Sequence, residues 1–156
     1  MSVSDSLSKL GITLPPAPKP VASYVPGVRT GNLVVISGQL PTREGKLVYA
    51  GKVPAAVPVD DARRAAELAA INALAVLQDA CGGDLERVTR IVRVGVFVQS
   101  ADDFVQQPQV ANGASDLLVA VFGDAGRHAR AAVGTNTLPL NATVEVELMA
   151  EIRSDT

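Results

Sequence analysis

The sequence predicts an α+β fold in which two helices pack on one face of a mixed β-sheet. The predicted elements follow the order strands, helix, strand, helix, strands. An alanine-rich segment with apolar residues at helical spacing is flanked by short runs of β-branched residues. The chain of 156 residues is long enough for one domain with its own core, and we expect no second full domain.

Residues 1–20 are predicted to form a proline-rich N-terminal arm, and residues 21–153 to form a single domain. Within the arm, a short helical turn is expected at Ser4 to Leu10, and the stretch LPPAPKP favours extended backbone because proline fixes φ. The domain is expected to begin with two strands, Tyr24 to Val28 and Leu33 to Ser37, joined by a Thr-Gly-Asn turn. The segment GKLVYAG is predicted to be a third strand.

Helical spacing is clearest from Asp60 to Cys81, where small and apolar residues recur every three or four positions and two glycines follow. Ile91 to Val98 is nearly all apolar and β-branched, which predicts a strand buried on both faces. A second helix is predicted from Val110 to Phe122. The closing strands are predicted at Ala129 to Thr135 and at Thr143 to Ile152.

The composition predicts a hydrophobic core with few aromatic side chains. Hydrophobic residues make up 47% of the chain, but aromatic residues only 3%, and tryptophan is absent. The core must therefore consist mainly of valine, leucine, isoleucine and alanine. Because a domain with such a core often leaves apolar surface for a partner subunit, we expect an oligomer.

Charge and motif content exclude several classes of function. The net charge of -2 disfavours binding to nucleic acid, because attraction to phosphate backbones needs clustered cations. We expect no signal peptide and no membrane association, since no segment has the required length or flanking residues. One cysteine and one histidine leave no metal-ligand cluster and favour a cytoplasmic protein.

Arg130 and Glu145 are the candidate catalytic residues. Arg130 is a fixed cation among alanines in HARAAVG, and a guanidinium can bind a carboxylate through two parallel hydrogen bonds. An ordinary surface or ion-paired arginine is the alternative. Glu145 shares one strand face with Glu147 and Glu151, which is typical of a half-exposed strand. A carboxylate near Arg130 could instead hold a water molecule or carry a proton, and the spacing alone does not decide between the two.

Three further residues are candidates for ligand contact, each with a structural alternative. Ser37 stands at a strand end in SGQ and could meet a polar ligand or begin a loop. Asn112 could face a cleft or cap a turn. Tyr24 could cover a ligand or pack in the core or an interface. His128 has no evident partner in the sequence and is expected to be structural.

Three stretches resemble the RidA/YjgF family of enamine/imine deaminases, whose members also carry the names endoribonuclease L-PSP and translation inhibitor. The stretches are SYVPGVRTGNLVVISGQLP, then RIVRVGVFVQSADDF with VANGASDLL, then HARAAVGTNTLPLNATVEVELMAEI. They follow the family's order and cover most of residues 21–152. The resemblance implies a chorismate-mutase-like α+β fold that assembles as a homotrimer, with ligand clefts between subunits.

The resemblance also implies roles for individual residues. Arg130 matches the carboxylate-binding arginine of the family, and Glu145 matches the acidic residue associated with the reacting water. Tyr24, Ser37 and Asn112 match further cleft positions. The implied reaction is the hydrolysis of amino-acid-derived enamines or imines to 2-keto acids and ammonia, without a cofactor.

Ala132 is the main departure, since family members often carry cysteine two residues after the arginine. The resemblance implies that this position contacts substrate. The change is harmless if the backbone makes the contact, and it alters substrate choice if the thiol shapes the pocket. Enzymatic deamination is the first hypothesis for function. The second is a non-catalytic protein that binds or senses small carboxylate ligands on the same trimeric fold, because fold does not fix function. The third, cleavage of RNA, is disfavoured by the acidic charge balance.

Overall fold

The chain folds as a five-stranded mixed sheet with two long helices on one of its faces. The computed structural model describes residues 1–20 and 22–155, and Val21, where the sequence places the start of the domain, lies outside them. The strands are β1 (Gly27–Thr30), β2 (Leu33–Gln39), β3 (Thr42–Arg43), β4 (Lys46–Leu47), β5 (Val88–Gln99), β6 (Ala129–Thr135) and β7 (Val144–Ile152). The helices are α1 (Val3–Lys9), α2 (Val59–Ala80) and α3 (Gln107–Phe122).

The sheet order is β1-β2-β7-β5-β6, and β3 pairs with β4 as a separate hairpin. Neighbouring strands of the sheet run antiparallel except β5 and β6, which are parallel and are connected through α3. Both α2 and α3 pack against the sheet and against each other. The predicted α+β architecture is confirmed.

Small residues let α2 and α3 approach each other closely. A Cβ atom at Gly113 in α3 would lie 1.9 Å from the backbone oxygen of Arg63 in α2, so only glycine fits there without a shift of the backbone. Six alanines of α2 have no exposed surface: Ala62, Ala65, Ala66, Ala69, Ala70 and Ala73. The predicted aliphatic core is therefore confirmed, and close helix packing takes the place of large aromatic side chains.

Alternation along β7 separates the two faces of the sheet. Val144, Val146 and Leu148 are buried beneath the helices, whereas Glu145 and Glu147 point to the opposite face. We call that opposite face the open face. Its apolar side chains are half-buried or exposed: Val28, Val35, Phe97, Val133 and Met149.

Strand β5 is covered on one side only. Val94, Val96 and Val98 are buried under the helices, but Arg93 is exposed and Phe97 is only half-buried on the open face. The prediction of burial on both faces is therefore wrong for the single chain, because the helices supply one covering layer.

Several element boundaries differ from the prediction. Strand β1 begins at Gly27, so Tyr24 lies in a bend before it. Only Lys46–Leu47 of GKLVYAG is in a strand, and this strand belongs to the small hairpin. Helix α3 begins earlier than predicted, at Gln107, because Pro108 suits the first turn of a helix, where a backbone N–H has no intrahelical partner.

The N-terminal arm is anchored at its start. Helix α1 begins with a capping box between Ser2 and Asp5, and Glu86 Oε1 accepts a hydrogen bond of 2.7 Å from the backbone N–H of Val3. Residues 12–20 then run without helix or strand. A cavity of about 730 Å³ lies between this segment, α2 and the β3–β4 hairpin.

Candidate functional site

The predicted site residues fall into two groups in the structure, except for Ala132, which lies beside the first. The arginine cluster consists of Asn112, Ser115, His128 and Arg130. We use the name glutamate cluster for Glu145, the adjoining Gly38, Ser37 next to it in the chain, and Tyr24, which precedes the residue that Ser37 bonds.

Arg130 lies on the edge strand β6, beside α3. Its Nη1 donates a hydrogen bond of 2.8 Å to Asn112 Oδ1 and another of 3.1 Å to Ser115 Oγ. Asn112 and Ser115 stand three residues apart on α3 and therefore project from the same side of the helix. The structure thus brings Arg130 together with one other predicted site residue, Asn112.

The guanidinium of Arg130 keeps one edge for a ligand. Both partners of its Nη1 are uncharged. Within residues 1–20 and 22–155, no carboxylate lies within 4.0 Å of Arg130, and no hydrogen bond involves its Nε or Nη2. The neighbouring Arg127, by contrast, pairs with Asp124 at 3.5 Å. The free edge of Arg130 could bind a carboxylate through two parallel hydrogen bonds.

His128 joins the arginine cluster through Ser115. Its Nδ1 lies 2.6 Å from the backbone oxygen of Gly126, and because a carbonyl oxygen only accepts, Nδ1 carries the hydrogen. Burial lowers the pKa of His128; the hydrogen bond to Gly126 opposes this shift, and the charge of Arg130 adds to it. The neutral ring leaves Nε2 as an acceptor, and Ser115 Oγ donates to it at 2.9 Å. The sequence showed no partner for His128, and the structure supplies two, Ser115 and the Gly126 carbonyl.

Ala132 follows Arg130 by two residues on β6 and so lies on the same face of the strand. It is half-buried and packs against the hydrophobic core. Next to the arginine cluster, this position therefore presents only a methyl group.

Glu145 lies on β7 with its carboxylate against the backbone of β2. A Cβ atom at Gly38 would lie 2.1 Å from Glu145 Oε1, so a side chain there would displace the carboxylate. Burial raises the pKa of Glu145, and repulsion from Glu147 raises it further. Glu145 is thus a half-buried carboxyl group with a raised proton affinity.

Ser37 orients the segment that precedes β1. Its Oγ donates a hydrogen bond of 2.8 Å to the backbone oxygen of Val25. The next residue back along the chain, Tyr24, has 58% of its surface exposed. Ser37 therefore fixes the bend that carries the tyrosine ring, and the ring itself is free of the core.

The two clusters lie on opposite faces of the same sheet. Arg130 is paired with Val94, which is buried beneath the helices, and paired residues of neighbouring strands share a face. Glu145 is paired with Phe97 on the open face. Strand β5 also stands between β6 and β7. The guanidinium of Arg130 and the carboxylate of Glu145 therefore do not meet within one chain.

Two members of the arginine cluster, Ser115 and His128, were not predicted as site residues. The sequence does carry a signal for them. Asn112 and Ser115 stand three apart in a predicted helix, and His128 and Arg130 stand two apart at the start of a predicted strand. These spacings place each pair on one face of its element.

The remaining features of the chain add no residues to these clusters. The cavity beneath the N-terminal arm is lined by no member of either cluster. In the part of the chain that the structure describes, no helix has the length and apolar character to cross a membrane, and no three His, Cys, Asp or Glu side chains are grouped to hold a metal ion. We take the arginine and glutamate clusters as the candidate sites because the polar side chains that the sequence singles out for ligand contact lie there.

Several known proteins are similar to this chain in sequence or in fold. A family model described as "YjgF/chorismate_mutase-like, putative endoribonuclease" matches residues 4–152. Protein TCP17 of Trypanosoma cruzi is 42% identical over 97% of this chain and 95% of its own. A 2-iminobutanoate/2-iminopropanoate deaminase of Dermatophagoides farinae is 30% identical over 90% of this chain and 94% of its own. The crystal structure of Atu1372, a protein of unknown function from Agrobacterium tumefaciens, has a TM-score of 0.89 and 46% identity, covering 96% of this chain and 91% of that one. The chain belongs to the YjgF/RidA family.

Proposed function

We propose that this protein hydrolyses enamine or imine intermediates derived from amino acids to 2-keto acids and ammonia. The observation that carries the proposal is the Arg130 guanidinium, which two uncharged oxygens hold while its other edge has no acidic partner among the described residues. Substrates of this class carry the carboxylate that such an edge binds. The similarity to a 2-iminobutanoate/2-iminopropanoate deaminase favours the same chemistry.

The proposed reaction needs one water molecule and no cofactor. Water adds to the imine carbon, one electron pair of the C=N bond moves to nitrogen, and nitrogen takes up a proton. The proton of the adduct's hydroxyl then passes to the amine nitrogen, the C–N bond breaks as the C=O bond forms, and ammonia leaves. Arg130 would hold the substrate carboxylate throughout, which fixes the carbon for attack.

Glu145 is the group we assign to the water and its protons. A carboxyl group whose pKa is raised toward neutrality exchanges protons more readily at physiological pH than an ordinary surface glutamate. Burial and the nearby Glu147 both raise the pKa of Glu145. Glu145 would orient the attacking water, accept its proton and return it to the leaving nitrogen.

The proposal requires more than one copy of the chain, because Arg130 and Glu145 lie on opposite faces of one sheet. We propose a homotrimer in which the glutamate cluster of one copy lies beside the arginine cluster of the next. Such an assembly would cover the exposed apolar side chains of the open face, among them Val35 and Val133. Tyr24, Ser37, Asn112 and Ala132 would then line the cleft between subunits.

The test is the release of keto acid and ammonia from enamines that a pyridoxal-phosphate enzyme generates in situ. The wild type should accelerate release, and Arg130→Ala should lower kcat/KM at least ~100-fold, because a charged hydrogen-bonding partner of the substrate is lost. Arg127→Ala is the matched control, since Arg127 is exposed and pairs with Asp124. Unchanged turnover in Arg130→Ala would overturn the proposal.

Two binding measurements, made beside the turnover assay, distinguish the other functions. Pyruvate binding that depends on Arg130, without acceleration by a verified trimer, would favour a protein that binds or senses carboxylate ligands. Salt-sensitive RNA binding by nuclease-free protein would favour an RNA-directed activity. The net charge of -2 gives RNA no general attraction to this chain, which ranks that outcome last.

A further inference from the structure

We infer that Ser115 and His128 are positioning residues, which hold Arg130 in its ligand-binding orientation through a directional chain of hydrogen bonds. The inference rests on the proposed function in one respect, because it takes Arg130 to be the group that binds a carboxylate. We call this chain of hydrogen bonds, from Arg130 through Ser115 and His128 to Gly126, the relay.

Every donor in the relay has one acceptor. The backbone oxygen of Gly126 fixes the hydrogen of His128 on Nδ1, at 2.6 Å. The bare Nε2 then accepts the hydroxyl hydrogen of Ser115, at 2.9 Å. With that hydrogen committed, Ser115 Oγ presents only lone pairs to Arg130 Nη1, at 3.1 Å.

The relay fixes the plane of the guanidinium. Arg130 Nη1 has two hydrogens, and the two acceptors Asn112 Oδ1 and Ser115 Oγ take both. An arginine side chain held at one point keeps much of its rotamer freedom, whereas two anchors on one nitrogen set the direction of the remaining edge. Arg130 is therefore pre-organised, and binding a carboxylate has less side-chain entropy to remove.

Protonation of His128 would reverse the hydrogen bond between His128 and Ser115. A hydrogen on Nε2 would point at Ser115 Oγ, whose two lone pairs would then have to accept from two neighbouring cations that repel each other, His128 and Arg130. Among the described residues, the charge that acts on His128 is that of Arg130, while α3 contributes the neutral Ser115 and the preceding turn contributes the Gly126 carbonyl. We therefore expect carboxylate affinity to fall as the pH drops through the pKa of His128, which lies below its ordinary value.

The relay can be tested without a ligand, because His128 is the only histidine in the chain. Nitrogen-15 NMR of the ring at pH 7 should show the neutral form with hydrogen on Nδ1. Ser115→Ala should raise the His128 pKa, since the neutral ring loses a donor, and Arg130→Gln should raise it because a nearby positive charge is removed. Arg127→Gln, the control, should cause no comparable change. Hydrogen on Nε2, or no response to Ser115→Ala, would overturn the relay.

The positioning role is tested by pyruvate affinity, measured by calorimetry between about pH 5 and 8 on variants checked for unchanged mass and helix content. Wild-type affinity should fall on acidification. His128→Gln, whose amide can still accept from Ser115 but does not titrate, should keep the neutral-pH affinity and lose the pH dependence. His128→Phe should bind about tenfold more weakly throughout, because the hydrogen bond to the hydroxyl is lost. Ser115→Ala serves the same purpose if the phenylalanine variant does not fold.

The outcomes separate the two levels of inference. Arg130-dependent binding that is unchanged in His128→Phe and Ser115→Ala, or that strengthens on acidification, would overturn the positioning role and leave the proposed function standing. Binding that persists in Arg130→Gln would overturn the proposed carboxylate role and, with it, this inference.

Discussion

The helix-covered face and the open face use the same five strands in different ways. On the helix-covered face, the apolar side chains are buried, and hydrogen bonds join the side chains of the arginine cluster at the edge, while one edge of Arg130 stays free. On the open face, Val35 and Val133 stay exposed, and burial together with the nearby Glu147 raises the pKa of Glu145. One face is complete within a single chain, and we expect the other to be complete only in an assembly.

The largest effect is expected from a charge on the open face. Val35 is 39% exposed there, so Val35→Glu should prevent trimer formation through the cost of burying an unpaired carboxylate, and turnover should disappear with the cleft. Light scattering and the turnover assay measure both, and helix content should be retained. Val105→Glu, at a residue that is 79% exposed outside the sheet, is the control. A monomeric wild type, or a trimeric Val35→Glu variant with full activity, would contradict the proposed homotrimer with its interface on the open face.

A second test asks whether Glu145 acts in proton transfer while Arg130 acts in substrate binding. Glu145→Gln should lower kcat about 100-fold with little change in KM, since the amide keeps the shape but cannot accept the proton of water. Arg130→Ala should raise KM in addition to lowering kcat. Steady-state kinetics separate the two patterns, with Glu67→Gln on the exposed side of α2 as the control. A Glu145→Gln variant with wild-type kcat would remove the carboxyl from the reaction.

Substitutions at two glycines should separate an effect on the open face from an effect on the helix-covered face. Gly38→Ala puts a methyl group where the Glu145 carboxylate lies, and because a side chain can move aside, we expect about a tenfold fall in kcat with little loss of stability. Gly113→Ala meets the backbone oxygen of Arg63, which cannot move without separating the helices, so it should lower the free energy of unfolding by about 1–3 kcal/mol. Urea unfolding and turnover of the folded variants distinguish the two. The reverse pattern would contradict the packing described for both glycines.

The smallest expected effect is on stability as a function of pH. Because the pKa of Glu145 is raised in the folded chain, its protonated form favours folding, and this contribution is lost as the pH rises through the folded pKa. Glu145→Gln should therefore be more stable than the wild type at pH 8 and similar to it at pH 4. Urea unfolding at one fixed protein concentration measures the difference. A variant that is less stable at pH 8 would show that the ionised carboxylate is well accommodated.

The sequence predicted the elements whose own residues carry a strong periodic pattern. The predicted bounds of β6 match the structure, and those of α2 differ by one residue at each end. Strand composition alone was insufficient for GKLVYAG and for Tyr24 to Val28. In both segments the extent of the strand depends on which neighbouring strand is available to pair, and only Lys46–Leu47 of the first finds one.

The sequence pointed to Arg130 and Asn112 of the arginine cluster but not to Ser115 or His128, and it did not predict how these side chains meet. The contact between Arg130 and Asn112 joins a strand to a helix, and it depends on the distance and register at which α3 packs beside β6. The partner of His128 was not evident in the sequence for the same reason, because Ser115 is on that helix. The opposite facing of Arg130 and Glu145 likewise follows from strand order and register, which no local pattern encodes.

The parallel pairing of β5 with β6 has a consequence for how such a site can diversify. Asn112, Ser115, His128 and Arg130 all lie within one uninterrupted β5–α3–β6 segment, while Ser37 and Glu145 lie outside it. Because β5 also pairs with β7, the strand of Glu145, only α3 and β6 can change without altering that pairing. If Arg130 and Glu145 have the proposed roles, ligand preference and proton transfer can evolve separately, and grafting residues 107–135 between homologues should exchange ligand preference as a block.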